Sequence, residues 1–146
     1  MKIASFVSHG LVAIVAAGVS AFGMHWVSSA AAQAPANATT QVLVQPLPDL
    51  PGREVRISVL DREPLNAGAP HRHPGHHTFG YVVEGTYEIG VNGGPTRILK
   101  AGDTFYEPPT AVHSVSRNPS SDKPLKIVVF MVADQKNPST VNEAAR

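Results

Sequence analysis

The chain has 146 residues, of which 42% are hydrophobic and 16% charged, a balance typical of one globular domain rather than of a disordered chain. Its formal net charge of +1 at pH 7 is too close to neutral for the basic surface that nucleic acid or an anionic membrane requires. Cysteine is absent, which excludes disulfides, thiolate nucleophiles and sulfur-ligated metal sites. Histidine, aspartate and glutamate are therefore left to carry any chemistry.

The first 32 residues have the pattern of a secretory signal peptide. Lys2 precedes an apolar core from Leu11 to Phe22, and small residues follow up to Ala32. The core is shorter than the roughly 20 residues that span a bilayer, although residues 23–27 could extend it into an uncleaved anchor. We expect cleavage after Ala32, a periplasmic or secreted location and no stable membrane anchor.

Beyond the signal peptide, residues 33–41 read as a linker, residues 42–133 as a β domain and residues 134–146 as a flexible polar tail. Short strand-like runs alternate in the β domain with Gly, Pro and Asn, which favours a sandwich or barrel. Glycines at 85 and in the Asn92–Gly94 stretch predict hairpin turns. The predicted strands are QVLVQPL, REVRISVL, TFGYVVEG, TYEIGVN, TRILKA, DTFYEP, HSVSRN and LKIVVFMVA.

The stretch PHRHPGHH holds four of the seven histidines of the chain. His71 and His73 are two positions apart, so in an extended segment they share a face and their imidazoles can converge on one metal ion. His113 lies at the start of a later strand, where it can complete a triad. We expect His76 and His77 to lie on a solvent-facing loop.

Two longer stretches, GAPHRHPGHHTFGYVVEG and AGDTFYEPPTAVHSVSRN, resemble the two motifs of the cupin superfamily. The resemblance runs from Gly68 to Asn118 and implies an all-β fold, a single-domain cupin jelly-roll β-barrel that follows the N-terminal signal peptide. The motif positions that match are Gly68, His71, His73 and Gly85 in the first stretch, and Gly102, Pro108 and His113 in the second.

One departure from the cupin pattern limits the site. Cupins often place a carboxylate ligand four or five positions beyond the second histidine, where this chain has His77 and Thr78. Three ligand sets remain open: the triad of His71, His73 and His113, the triad with His77 added, or the triad with a carboxylate recruited from elsewhere. We favour the triad alone, because Thr78 fits the place of the glutamate better and His77 then faces away.

Glu107 is the best candidate for a recruited carboxylate. Alternation along DTFYEPP places Phe105 and Glu107 on one face of the strand, so Glu107 can project into the barrel near His113. There it would act as a metal ligand, as a residue that orients a ligand, or as a general base. The alternative places Glu107 at the rim of the barrel, paired with Arg97 or Arg117.

A histidine triad leaves open positions on a metal ion and suits transition metals. We favour Fe²⁺, with Zn²⁺, Ni²⁺, Cu²⁺, Co²⁺ and Mn²⁺ as alternatives, and expect the ion to prefer anionic, oxygen-chelating small molecules. The resemblance implies either a dioxygenase-like, metal-dependent oxidoreductase acting on a small oxygenated substrate or a non-catalytic cupin that binds a metal or small ligand. It also implies a homodimer, for which the segment TTQVLVQPL can supply a strand.

Overall fold

The computed structural model describes residues 37–143, and the predicted signal peptide lies outside them. Ten β-strands form in this part of the chain, all paired antiparallel, and none of its elements is a helix that could cross a membrane. The strands are β1 (Thr39–Pro46), β2 (Arg53–Arg62), β3 (His71–Arg72), β4 (His77–Glu84), β5 (Thr86–Val91), β6 (Arg97–Lys100), β7 (Thr104–Glu107), β8 (Val112–Arg117), β9 (Leu125–Asp134) and β10 (Val141–Asn142).

The strands are arranged in two five-stranded sheets that pack face to face. One sheet has the order β1-β2-β9-β4-β7 and the other the order β10-β3-β8-β5-β6. All eight strands predicted from the sequence are present, because each has the period-two alternation or the continuous apolar run that a half-buried or buried strand needs. The predicted all-β architecture is confirmed.

The hydrophobic core lies between the sheets and follows from strand alternation. In β9 every second residue is buried, including Ile127, Val129 and Met131, and these face Tyr87 and Ile89 of the opposite sheet within one apolar cluster. Within one sheet, Gly80 of β4 is the cross-strand partner of Phe105 of β7, and a Cβ atom at Gly80 would lie 2.0 Å from the ring of Phe105. Only glycine leaves room for that ring.

The two predicted turns have different roles. Asn92 and Gly93 have positive φ values of 55° and 67° and connect β5 to β6, which pair with each other as a hairpin should. Gly85 also has a positive φ, 81°, but β4 and β5 belong to different sheets. The predicted hairpin at Gly85 is therefore wrong, since this turn is a corner that carries the chain from one sheet to the other.

The chain ends differ from the predicted boundaries. Strand β1 begins at Thr39, inside the segment predicted as a linker. The predicted flexible tail instead returns to the barrel up to residue 143, where β10 pairs with β3 and the Glu143 N–H donates to the Pro70 carbonyl. The reason is non-local, because the tail has few apolar residues of its own and is held by hydrogen bonds to residues about 70 positions earlier.

Candidate metal centre

Three histidines from two neighbouring strands meet inside the barrel. Strand β3 pairs with β8 so that His71 lies directly opposite His113, and His73 follows two residues after His71. The ring centroid of His71 lies 5.0 Å from that of His73 and 4.8 Å from that of His113. One ligand nitrogen from each of the three lies within 4.8 Å of the others. The structure therefore brings together the triad that the sequence predicts.

Backbone carbonyls orient two of these rings. The Nδ1–H of His71 donates to the Ala69 carbonyl at 2.8 Å, and the Nδ1–H of His73 donates to the Ser139 carbonyl at 2.5 Å. Because a carbonyl can only accept, Nδ1 carries the proton in each neutral ring and Nε2 keeps its lone pair. This is the arrangement that holds metal-ligating histidines in proteins.

Glu107 faces the triad from the other sheet. Glu107 is only 2% exposed. Its Oε1 lies 3.2 Å from His113 Nδ1, and its Oε2 lies 3.7 Å from His73 Nε2. Arg117 pairs with Glu88 instead, and neither Arg117 nor Arg97 pairs with Glu107 in the described part of the chain. Glu107 therefore lies inside the barrel and not at its rim, the alternative that the sequence left open.

Burial shifts the pKa values of Glu107, His113 and His73 in the direction that favours their neutral forms. It raises the pKa of Glu107 to about 7, and together with the neighbouring His71 and His73 it lowers the pKa of His113 to about 3. Burial also lowers the pKa of His73, against the hydrogen bond to Ser139. The close contact of Glu107 with His113 is therefore not an ion pair, because desolvation favours the neutral form of both. Neutral imidazoles are the form that ligates a metal.

Three buried polar atoms around this contact have no hydrogen-bond partner among the described residues: Thr78 Oγ1, Glu107 Oε2 and His113 Nδ1. Such unpaired buried atoms are rare in proteins and call for an explanation. A divalent cation would satisfy the carboxylate oxygen and the imidazole nitrogen together, since both are lone-pair donors to metals. The donor set therefore fits a transition-metal ion.

The carboxylate missing from the first motif has a counterpart on the adjacent strand. Thr78 is 1% exposed and faces the cavity, and its Cα is the cross-strand partner of Glu107 in the β4–β7 pairing. His77 lies on the opposite face of β4, where its Nδ1 is 2.8 Å from the Tyr106 hydroxyl. It is not part of the histidine cluster.

His76 has a structural role that the sequence did not reveal. It is fully buried, its Nε2–H donates to the Pro138 carbonyl at 2.9 Å, and its Nδ1 accepts from the Asp134 N–H at 3.0 Å. The predicted solvent-facing position is wrong for His76, because both ring nitrogens are satisfied by backbone groups about 60 residues later. This contact fixes the C-terminal segment that supplies the Ser139 carbonyl.

A cavity of about 290 Å³ lies beside the triad and is lined from both sheets. Tyr87, which was not predicted as a site residue, also lines this cavity. Its hydroxyl lies 3.2 Å from His113 Nε2 and 2.9 Å from Ser116 Oγ. Alternation along TYEIGV places Tyr87 and Ile89 on the buried face, so this pattern could have identified it. The cavity gives a small molecule room next to the candidate ligands.

The fold and this histidine-lined cavity define a small double-stranded β-helix barrel with a candidate metal centre. The model of the family described as "Cupin domain" matches residues 60–131. This family match agrees with the cupin resemblance that the two motifs predict. No curated protein matches it in sequence.

Solved structures with the same fold differ in what they are described to do. A conserved protein with a double-stranded β-helix domain from Klebsiella pneumoniae has a TM-score of 0.58 and 22% identity, over 73% of this chain and 84% of that one. An oxalate oxidase in complex with the substrate analogue glycolate has a TM-score of 0.56 and 25% identity, over 72% of this chain and 54% of the oxidase. The DMSP lyase DddQ from Ruegeria pomeroyi has a TM-score of 0.53 and 23% identity, over 60% of this chain and 42% of the lyase. The match thus spans about half or less of each of these two enzymes.

Proposed function

We propose that this protein is an exported metalloenzyme, a dioxygenase-like oxidoreductase that acts on a small oxygenated molecule. One divalent transition-metal ion is held by His71, His73 and His113, with Glu107 as the fourth ligand. The observation that carries the proposal is the Glu107 carboxylate, which is buried, has no salt bridge to an arginine or lysine among residues 37–143, and faces three clustered imidazoles.

The ligand set supports Fe²⁺ first, with Zn²⁺, Ni²⁺, Cu²⁺, Co²⁺ and Mn²⁺ as alternatives, because imidazole and carboxylate together suit the middle of the first transition row. When bound, such an ion supplies Lewis acidity toward oxygen donors and, as iron, one-electron redox chemistry. The solved oxalate oxidase supports an oxidoreductase, although the solved lyase shows that this fold also appears in proteins of another reaction class.

The residues around the centre have separate tasks. The Ala69 and Ser139 carbonyls hold two imidazoles in the ligating tautomer. The Glu107 carboxylate offsets one of the two charges of the ion. Tyr87 stays a phenol at neutral pH, because burial raises its pKa, and can donate a hydrogen bond to an oxygen of a bound substrate.

The alternative function is a non-catalytic cupin that binds a metal or a small ligand. The cavity of about 290 Å³ beside the triad has the room for a small molecule that the enzyme requires, whereas a cupin that binds a metal alone needs no such room. Oxygen uptake by the iron-loaded protein separates the two, with diketones, phenols and thiols as the substrate panel. Iron-dependent consumption of oxygen with one class supports the enzyme, and binding without turnover supports the alternative.

Metal analysis of the protein, purified without a histidine tag, tests the site itself. We expect about one transition-metal ion per chain, its loss in His113→Ala and its retention in His77→Ala. The second variant is a matched control, because His77 faces away from the cavity on the neighbouring segment. Equal metal content in His113→Ala and the parent protein contradicts the site.

Export and dimerisation belong to the same proposal. The signal-peptide pattern supports a periplasmic or secreted protein, and sequencing the N-terminus of the purified protein tests for cleavage after Ala32. Strand β1 supports a homodimer, since it is an edge strand exposed along its length, with Val42 56% exposed. Light scattering measures the mass in solution and so tests for the dimer. We expect Val42→Lys to weaken the dimer, and a monomeric parent protein would contradict the proposal.

A further inference from the structure

One cationic side chain reaches the cavity beside the metal centre. Among the described residues that line this cavity, Arg62 at the end of β2 is the single arginine, and none is a lysine. It is half-buried, and burial lowers its pKa, although the side chain stays charged at neutral pH. A cation in so confined a position needs a partner that offsets its desolvation.

The described residues hold Arg62 in place through uncharged acceptors rather than through an ion pair. Its Nη1 donates to the Ala38 and Asp61 carbonyls at 2.6 and 2.8 Å, and its Nη2 donates to Thr39 Oγ1 at 2.9 Å. All three acceptors are uncharged. Of the two carboxylates adjacent in sequence, Asp61 pairs with Lys126 at 3.1 Å and the exposed Glu63 forms no ion pair with Arg62 among the described residues. A guanidinium has five N–H groups, so two remain beyond these three bonds.

Arg62 shares its cavity with the metal centre. The same cavity is lined by Glu107 and by Tyr87, whose hydroxyl lies 3.2 Å from His113 Nε2. With the proposed divalent ion in place, the ion, Glu107 and Arg62 leave the cavity with a net positive charge.

We propose that Arg62 binds the carboxylate of the substrate, and that the substrate is a small carboxylic acid with a second oxygen donor for the metal. The two free N–H groups of a fixed guanidinium suit a carboxylate, which offsets the positive charge of the cavity. The volume of about 290 Å³ lies at the small end of ligand pockets, which favours a small acid. This inference rests on the proposed metal centre for its second contact.

Arg62 has a competing structural role, because it also ties Ala38 and Thr39 to β2. A merely structural arginine would change thermal stability in Arg62→Gln but would not distinguish an acid from its neutral analogue. The decisive measurement therefore compares lactate with propane-1,2-diol, which has a hydroxymethyl group in place of the carboxylate. Oxalate and malonate extend the acid series.

The experiment titrates these four compounds into Co²⁺-loaded protein, followed by the visible cobalt spectrum and by calorimetry. The proteins are the parent, Arg62→Gln, Arg62→Lys and the control Lys100→Gln, an exposed cation on β6. We expect at least one acid to bind the parent, and its affinity to fall about tenfold to a hundredfold in Arg62→Gln. Arg62→Lys should be intermediate, Lys100→Gln should match the parent, and diol binding should not change.

Two outcomes overturn the assignment: equal acid affinity in Arg62→Gln and the parent, or binding of none of the acids to the parent. Failure of the metal centre gives a different result, because cobalt is then not taken up and no visible spectrum develops. Calorimetry on that metal-free protein still measures whether an acid binds to Arg62. Acid binding that weakens in Arg62→Gln there supports the assignment, and its absence contradicts it.

Discussion

Replacing Glu107 by glutamine should stabilise the metal-free protein and destabilise the metal-bound one. The carboxyl group has a pKa of about 7 in the folded chain, raised by burial from an ordinary value of 4.5. As pH rises above about 4.5, the unfolded chain therefore releases this proton first, and the folded state loses stability until pH passes about 7. At about 1.4 kcal/mol for each pH unit of difference, the loss is on the order of 3 kcal/mol.

Glutamine has the shape of the protonated acid and cannot ionise, so Glu107→Gln avoids this loss. The two metal-free proteins should be about equally stable near pH 4.5, and the variant should be more stable by up to about 3 kcal/mol at pH 8. In a domain of this size that corresponds to a melting temperature about 10 °C higher. His113 acts in the opposite sense, because its lowered pKa costs stability as pH falls from 6.5 toward 3. Both proteins contain His113, so their difference isolates Glu107.

Thermal and urea unfolding measure the stability of both proteins at pH 4.5, 6 and 8. Each measurement is made first in chelator and then with one equivalent of metal, so that the effects of pH and of metal are read separately. Metal should reverse the order at pH 8, because the parent gains the binding free energy of a four-ligand site and the variant gains less. Glu84→Gln is the control, since Glu84 is exposed at the end of β4. A metal-free difference that does not grow with pH, or an unchanged order after metal is added, refutes the reasoning.

Three further outcomes follow from the structure. Because Thr78 and Glu107 are cross-strand partners, Glu107→Thr should lose metal in elemental analysis, and adding Thr78→Glu should restore it by supplying the carboxylate from the other strand. Gly80→Ala should lower the urea-unfolding free energy by about 2 kcal/mol or more, because the added carbon lies 2.0 Å from a facing phenylalanine ring. Ending the chain at Asp134 removes the carbonyl that orients His73, and calorimetry should show metal affinity about 10 to 100 times weaker.

The sequence predicted whatever depends on local periodicity. Alternation along β7 and β9 gave the buried face of each strand, including the inward position of Glu107. The two-residue spacing of His71 and His73 gave their common direction. Strands β3 and β10 were not predicted, because two residues carry no period and these strands exist only through pairing with distant partners. The buried position of His76 was missed for the same reason.

The location of the carboxylate shows where sequence reasoning stops. Whether Glu107 can replace a glutamate at position 78 depends on the register between β4 and β7, which are separated by β5, β6 and their turns. Alternation tells which face of a strand a residue occupies but not which residue lies opposite it. Once the register places Thr78 beside Glu107, both residues line the cavity that the histidines also line, and we expect a carboxylate on either strand to reach them. The ligand set is therefore a property of the barrel interior rather than of one motif, and a cupin motif that lacks its glutamate does not by itself argue against a metal site.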